Sequence, residues 1–213
     1  MMEAKVLIPV VVSVVALIVS GAALYYSQLQ GAVVSIVVGE HVNIHHFEEG
    51  NSSVSLPISF GNNGATIATV HRVALLVRRP GSNEGYLLEP LNYQKMDENG
   101  DFQHDTQAMP IALPGRSATA KQVRFRSSLE RPTEFQFIKP GTYDMTVLAW
   151  LENSVEPQRK STFSLVISDE DATTLAERLK KKSPTTVRIG QSQWRKWSAH
   201  KLTEVEVAAL GKG

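Results

Sequence analysis

The chain of 213 residues is 42% hydrophobic and 20% charged, with a formal net charge of +1. This balance suits a folded domain and excludes both a disordered polyelectrolyte and a molecule that binds polyanions over its whole surface. The absence of cysteine excludes a disulfide framework, a thiolate metal site, a cysteine nucleophile and a lipid-modified N-terminal cysteine, so a domain outside the cytoplasm must be held by its core alone.

Residues 6–26, VLIPVVVSVVALIVSGAALYY, carry no charge. As a helix they span roughly 31 Å at about 1.5 Å per residue, close to the hydrocarbon thickness of a bilayer. Pro9 is expected in the first turn, where its missing N–H costs least. Tyr25 and Tyr26 close the segment at headgroup level. Ser20-Gly21-Ala22 offers a signal-peptidase site, but the apolar run is longer than a cleaved leader needs. We therefore expect a signal-anchor helix over 6–26 and a short cytoplasmic N-terminus over 1–5. Lys5 precedes the span and no Lys or Arg follows until Arg72, which orients the remainder of the chain outside the cytoplasm, in the periplasm or at the cell surface.

From residue 32 the pattern becomes β. AVVSIVV (32–38) is rich in branched residues, and VSLPISF (54–60) alternates with Val54, Leu56, Ile58 and Phe60 on one face. Pro57 implies an edge or a bulge. GNNG (61–64) is a turn, and TIATVHRVALLVRR (66–79) is expected as one long strand. Asn99-Gly100 signals a hairpin. In SATAKQVRFRS (117–127) Val123 and Phe125 face away from Gln122, Arg124 and Arg126. Pro140-Gly141 turns into a strand with Tyr143, Met145, Val147, Ala149 and Leu151 on one face, and STFSLVIS (161–168) alternates Phe163, Leu165 and Ile167.

Short strands separated by frequent turns, with no long amphipathic helix, predict a mainly β protein built as an immunoglobulin-like antiparallel β-sandwich over 27–168. PGTYDMTVLAW resembles a tyrosine corner, with Gly141 in the turn and Tyr143 bonding back to the preceding corner. A single span followed by LPISFGNNGATIATVHRVAL and later KPGTYDMTV resembles small bacterial envelope proteins with an immunoglobulin-like ectodomain. That resemblance covers residues 1–168 and implies a fold, with no catalytic residues.

Residues 169–213 differ. SDEDATTLAERLKKK (168–182) has acids at its start and bases at its end, as a helix does, with Leu175 and Leu179 sharing a face. TTVRI reads as a strand, and QWRKWSAHKLTEVEVAAL (193–210) as a second helix carrying Trp194 and Trp197. The segment 27–168 holds 12 basic and 14 acidic residues, net −2; the segment 169–213 holds 9 and 6, net +3. Arg178, Lys180, Lys181, Lys182, Trp194, Arg195, Lys196 and Trp197 are the candidate partner-binding residues of a short helical, basic C-terminal segment, suited to an acidic protein or an anionic surface. An extracytoplasmic location disfavours nucleic acid.

Signals for chemistry are weak. Histidines His41, His45 and His46 lie in strand or loop context, where metal-ligand spacing loses its helical meaning. Ser198-x-x-Lys201 lacks the partner motifs of a serine hydrolase. No motif calls for a cofactor, a metal or a small-molecule substrate. The expected function is a non-catalytic, membrane-anchored binding or adaptor module that engages another envelope protein. The alternatives are a structural subunit of a membrane assembly and a metal-dependent hydrolase built on His45, His46, His104 and Asp105.

Overall fold

A computed structural model describes residues 3–46, 52–79, 85–96, 98, 102–126, 137, 139–181 and 185–190. Helix α1 (Glu3–Leu24) continues into one π-helical turn, Tyr25–Leu29. Every side chain from Ile8 to Leu29 is exposed, and this segment is long and apolar enough to cross a membrane. Because α1 starts at Glu3, Pro9 lies inside the helix instead of in its first turn. Its missing N–H leaves the carbonyl four residues earlier without its helical donor, and the Ser13 hydroxyl donates to the Pro9 carbonyl at 2.8 Å.

The strands follow in order: β1 (Val34–Val38), β2 (His41–His46), β3 (Ser52–Asn62), β4 (Ala68–Val70), β5 (Arg72–Arg78), β6 (Gly85–Met96), β7 (Phe102–Gln107), β8 (Ile111–Leu113), β9 (Ser117–Arg126), β10 (Gly141–Trp150) and β11 (Arg159–Ile167). Helix α2 (Asp169–Lys180) and strand β12 (Thr185–Gly190) complete the described chain. All described pairings are antiparallel. The main sheet runs β11-β10-β5-β6-β9-β3-β2-β12, with β1 also on β3 and β7 also on β6, while β4 and β8 form a separate pair. The long strand β6 joins the two halves: Gly85–Leu88 pair with β5, and from Glu89 onward it pairs with β9. The sheet curls almost into a barrel, and Arg159 at the start of β11 donates through Nε to the Val34 carbonyl of β1 at 2.7 Å.

The alternation read from the sequence is the alternation that fills the core. Val54, Leu56, Ile58 and Phe60 on β3, Val123 and Phe125 on β9, Tyr143, Met145, Val147 and Ala149 on β10, and Phe163, Leu165 and Ile167 on β11 are all buried in one cluster. The run 66–79 breaks at His71 into β4 and β5, which belong to different sheets. The break lets His71 N–H reach the Trp150 carbonyl at 2.8 Å. Pro57 sits in mid-sheet, where a proline normally fails. Its carbonyl accepts from Gly39 N at 2.8 Å, so its ring nitrogen faces the same side, where β1 and β2 are interrupted and no donor is required.

Residues beyond Ser168 extend the core. β12 pairs with β2 along Thr185–Gly190, and Ala172, Leu175 and Ile189 join the buried cluster.

Tyr143 is 2% exposed. Its hydroxyl donates to the Lys139 carbonyl at 2.8 Å, and its ring lies 5.3 Å from that of Phe137. Burial pushes its pKa up, with the charge of Arg79 pulling partly against it. A phenol whose folded pKa is raised supports the fold fully below its unfolded value near 10, and that support is lost as pH rises through the folded value. Tyr143→Phe is therefore expected to cost about 1 kcal/mol at neutral pH and to show a shallower loss of stability above about pH 10. Urea titrations across the alkaline range measure both.

Candidate functional site

Strand register defines two ends. At the helix-proximal end Val34 pairs with Asn62 and Asn62 with Ser117. At the distal end His46 pairs with both Ser52 and Thr185, and Gly141 with Ile167. Along β3, from Asn62 opposite Val34 to Ser52 opposite His46, the two ends lie roughly 33–35 Å apart at about 3.3 Å per residue.

Of the basic cluster, Arg178, Lys180 and Lys181 belong to the distal end. α2 starts where β11 ends, at Ile167, and its C-terminus leads into β12 at Thr185. Ser168 caps it: its hydroxyl accepts from Asp171 N at 3.1 Å, while Asp171 Oδ2 accepts from Ser168 N at 3.3 Å, a reciprocal capping box. Asp169, Glu170 and Asp171 fill the first turn, and Arg178 and Lys180 the last, each sign complementing the helix dipole. Ala172 and Leu175 face the core, leaving Arg178, Lys180 and Lys181 exposed. Lys182, Trp194, Arg195, Lys196 and Trp197, the second helix, and Ser198 and Lys201 lie outside the described residues.

At the proximal end, Asn62 is fully buried and ties three segments together. Its Oδ1 accepts from Val33 N at 3.1 Å and Gly64 N at 3.0 Å. Its Nδ2 donates to the carbonyls of Thr66 at 2.8 Å, Leu113 at 3.1 Å and Pro114 at 3.2 Å. The Gln30 carbonyl, which ends the helical segment, accepts from Ala65 N at 2.9 Å and Thr66 N at 3.1 Å. The loops stack backbone on backbone, since a Cβ at Gly64 would collide with the main chain of Gly31 and one at Gly115 with that of Ala65. Arg116 holds φ at 54°, a left-handed conformation that costs a non-glycine residue about 1–2 kcal/mol. Its N–H donates to the Gly64 carbonyl at 2.8 Å and its guanidinium to the Tyr26 carbonyl.

Other polar groups are dispersed. A cleft of about 200 Å³ between β5, β6 and residues 108–109 holds Arg72, which pairs with Glu89 at 3.5 Å and lies 5.0 Å over the Trp150 ring. His45 Nε2 lies 3.1 Å from Ser55 Oγ on β3, whereas His104 and Asp105 are on β7, four strand spacings or roughly 19 Å away. The sheet thus keeps apart the residues of the hydrolase reading. Among the described residues no three His, Asp or Glu side chains converge. On the face of β6 and β9 opposite Tyr93 and Val123, Asn92 Oδ1, Gln94 Oε1 and Gln122 Nε2 are buried without hydrogen-bond partners among the described residues. Gln94 and Gln122 face each other across the strands, within reach of one another. Nearby Arg124 donates to Ser53 Oγ at 3.1 Å, and burial, reinforced by the charge of Arg126, lowers its pKa.

Sequence reading missed Asn62, Arg116 and the proximal loops as a unit. GNNG advertises a turn, but nothing local shows that its first asparagine points inward.

No family model and no curated protein matches the chain. Among solved structures, β-glucosidase 3B from Thermotoga neapolitana in complex with glucose aligns at a TM-score of 0.31 and 12% identity, over 75% of this chain and 17% of that chain. A likeness of this size supports no statement about fold or activity.

Proposed function

We propose that the chain is a single-span membrane protein with a cytoplasmic N-terminus, an extracytoplasmic immunoglobulin-like β-sandwich, and a distal basic helix that engages an acidic surface on another envelope protein. It acts as a tethered, non-catalytic adaptor. The span is supported by the exposure of α1 from Ile8 onward, and the orientation by Lys5 and the absence of Lys and Arg over 27–71. The sandwich is supported by the two strand groups that β6 joins, β11-β10-β5 and β9-β3-β2, and by the Tyr143 bond to the Lys139 carbonyl. The observation that carries the reading is the separation of ends: α1 meets one end, and Arg178, Lys180 and Lys181 stand exposed at the other. Roughly 35 Å exceeds a Debye length of about 8 Å several times over, so these cations do not sense the membrane that α1 crosses. They address whatever faces the domain from beyond, at a local concentration raised by the tether.

The test is charge reversal in the full chain. Arg178→Glu, Lys180→Glu and Lys181→Glu together are expected to abolish in-cell crosslinking and affinity recovery of the partner while lowering unfolding free energy only by the helix-dipole contribution, about 1–2 kcal/mol. Undiminished recovery by the triple variant defeats the adaptor reading. A partner that stays bound in fixed stoichiometry through gentle detergent extraction would make the protein a structural subunit instead.

A further inference from the structure

We propose that the three helix-proximal loops form a rim that contacts the zwitterionic headgroup layer of the bilayer crossed by α1, with Ile67 and Val155 entering it and Arg116 meeting its phosphates. This rests on the membrane-spanning reading above.

No flexible linker separates helix from domain. Gln30 ends the helical segment, and its carbonyl is already bonded to Ala65 and Thr66, so the 63–67 loop lies level with the last helical turn. Arg116 reaches the Tyr26 carbonyl, and Tyr26 stands at the interfacial end of the apolar run. The β10–β11 connection belongs to the same end, because Arg159 bonds to Val34. Outside the helical segment, Val155 at 96% and Ile67 at 68% are the most exposed large apolar side chains among the described residues. Both sit on these proximal loops, where exposure to water has a physical cost and insertion between headgroups removes it. Glu152 and Glu156 flank Val155 and are exposed. These carboxylates disfavour an anionic surface but match the ammonium of phosphatidylethanolamine, while Arg116 matches its phosphate. A rim of this kind fixes the domain upright, so that α2 is held away from the membrane.

The natural absence of cysteine permits a clean test. Single variants Ile67→Cys, Val155→Cys, Leu17→Cys and Glu170→Cys of the full chain are spin-labelled in vesicles of phosphatidylethanolamine and phosphatidylcholine. Accessibility to oxygen is then compared with accessibility to a water-soluble nickel complex. The expected result is a several-fold higher oxygen-to-nickel ratio at 67 and 155 than at 170, with 17 highest. A lipid reading at 17 alongside ratios at 67 and 155 equal to that at 170 overturns the rim and leaves the span intact. An aqueous reading at 17 overturns the span and the rim together.

Discussion

Asn62→Leu is expected to cost about 3–5 kcal/mol, at the upper end of single-substitution effects. The side chain is 0% exposed; its Oδ1 accepts from Val33 N and Gly64 N, and the two hydrogens of its Nδ2 are shared among the carbonyls of Thr66, Leu113 and Pro114. A leucine of similar size answers none of them, and each buried group left unpaired costs about 1–3 kcal/mol unless water reaches it. The end of the domain is near solvent, so some are rehydrated, which keeps the total below the simple sum. Asn62→Asp separates the two halves of the network. The carboxylate keeps both accepting bonds but turns a charge toward three carbonyls, so its folded pKa rises above the unfolded value of about 3.9. The carboxyl then favours the fold below that value, and its support is lost as pH rises through the folded pKa. The aspartate variant is thus expected to be weak at neutral pH and to recover on acidification relative to wild type. Urea melts at several pH values check both; a loss below about 1 kcal/mol in the leucine variant would mean that the network is not what holds this end.

Legibility in the sequence followed burial. β10 and β11 were readable because each buries one face against a single core, which enforces alternation; β3 was readable from its alternating side-chain chemistry, although Ser53 and Ser55 on its other face are buried too. The division of 66–79 was not, since no glycine or proline marks His71 and the break exists only because β4 and β5 answer to different partners. Pro57 was readable as an irregularity, but its tolerance depends on the interruption between β1 and β2, a property of a neighbouring strand. Arg178, Lys180 and Lys181 were visible as charge. Their distance from the helix exit was not, because it depends on β12 pairing with β2 from the far end of the sequence. Asn62 carried no signal beyond turn composition and Ile67 read as part of a strand, whereas the fold ends β3 with Asn62 turned inward and leaves Ile67 exposed ahead of β4.

A chain ending at Ser168, the point where composition shifts, is expected not to fold stably, a larger effect than any single substitution described above. Such a truncation deletes α2 and β12. The β2 edge loses its antiparallel partner from His41 to His46, and the core loses Leu175, Ala172 and Ile189. Burial of a leucine or isoleucine contributes about 1.5–3 kcal/mol each, and with the lost ladder the sum reaches about 5 kcal/mol or more, comparable with the whole stability of many domains. Loss of a partner on truncation would therefore say nothing about the basic residues. Leu175→Ala and the Arg178, Lys180 and Lys181 reversals separate the two roles. The alanine variant leaves the basic side chains present while costing about 2–4 kcal/mol, and the reversals leave the core untouched. Thermal melts are expected to fall further for Leu175→Ala than for the reversals, whose loss is limited to the helix-dipole contribution, and partner recovery at a temperature where both variants remain folded is expected to fall only for the reversals. A fall in stability for the reversals as large as that for Leu175→Ala would make α2's charged end structural and return the search for the partner surface to the sheet.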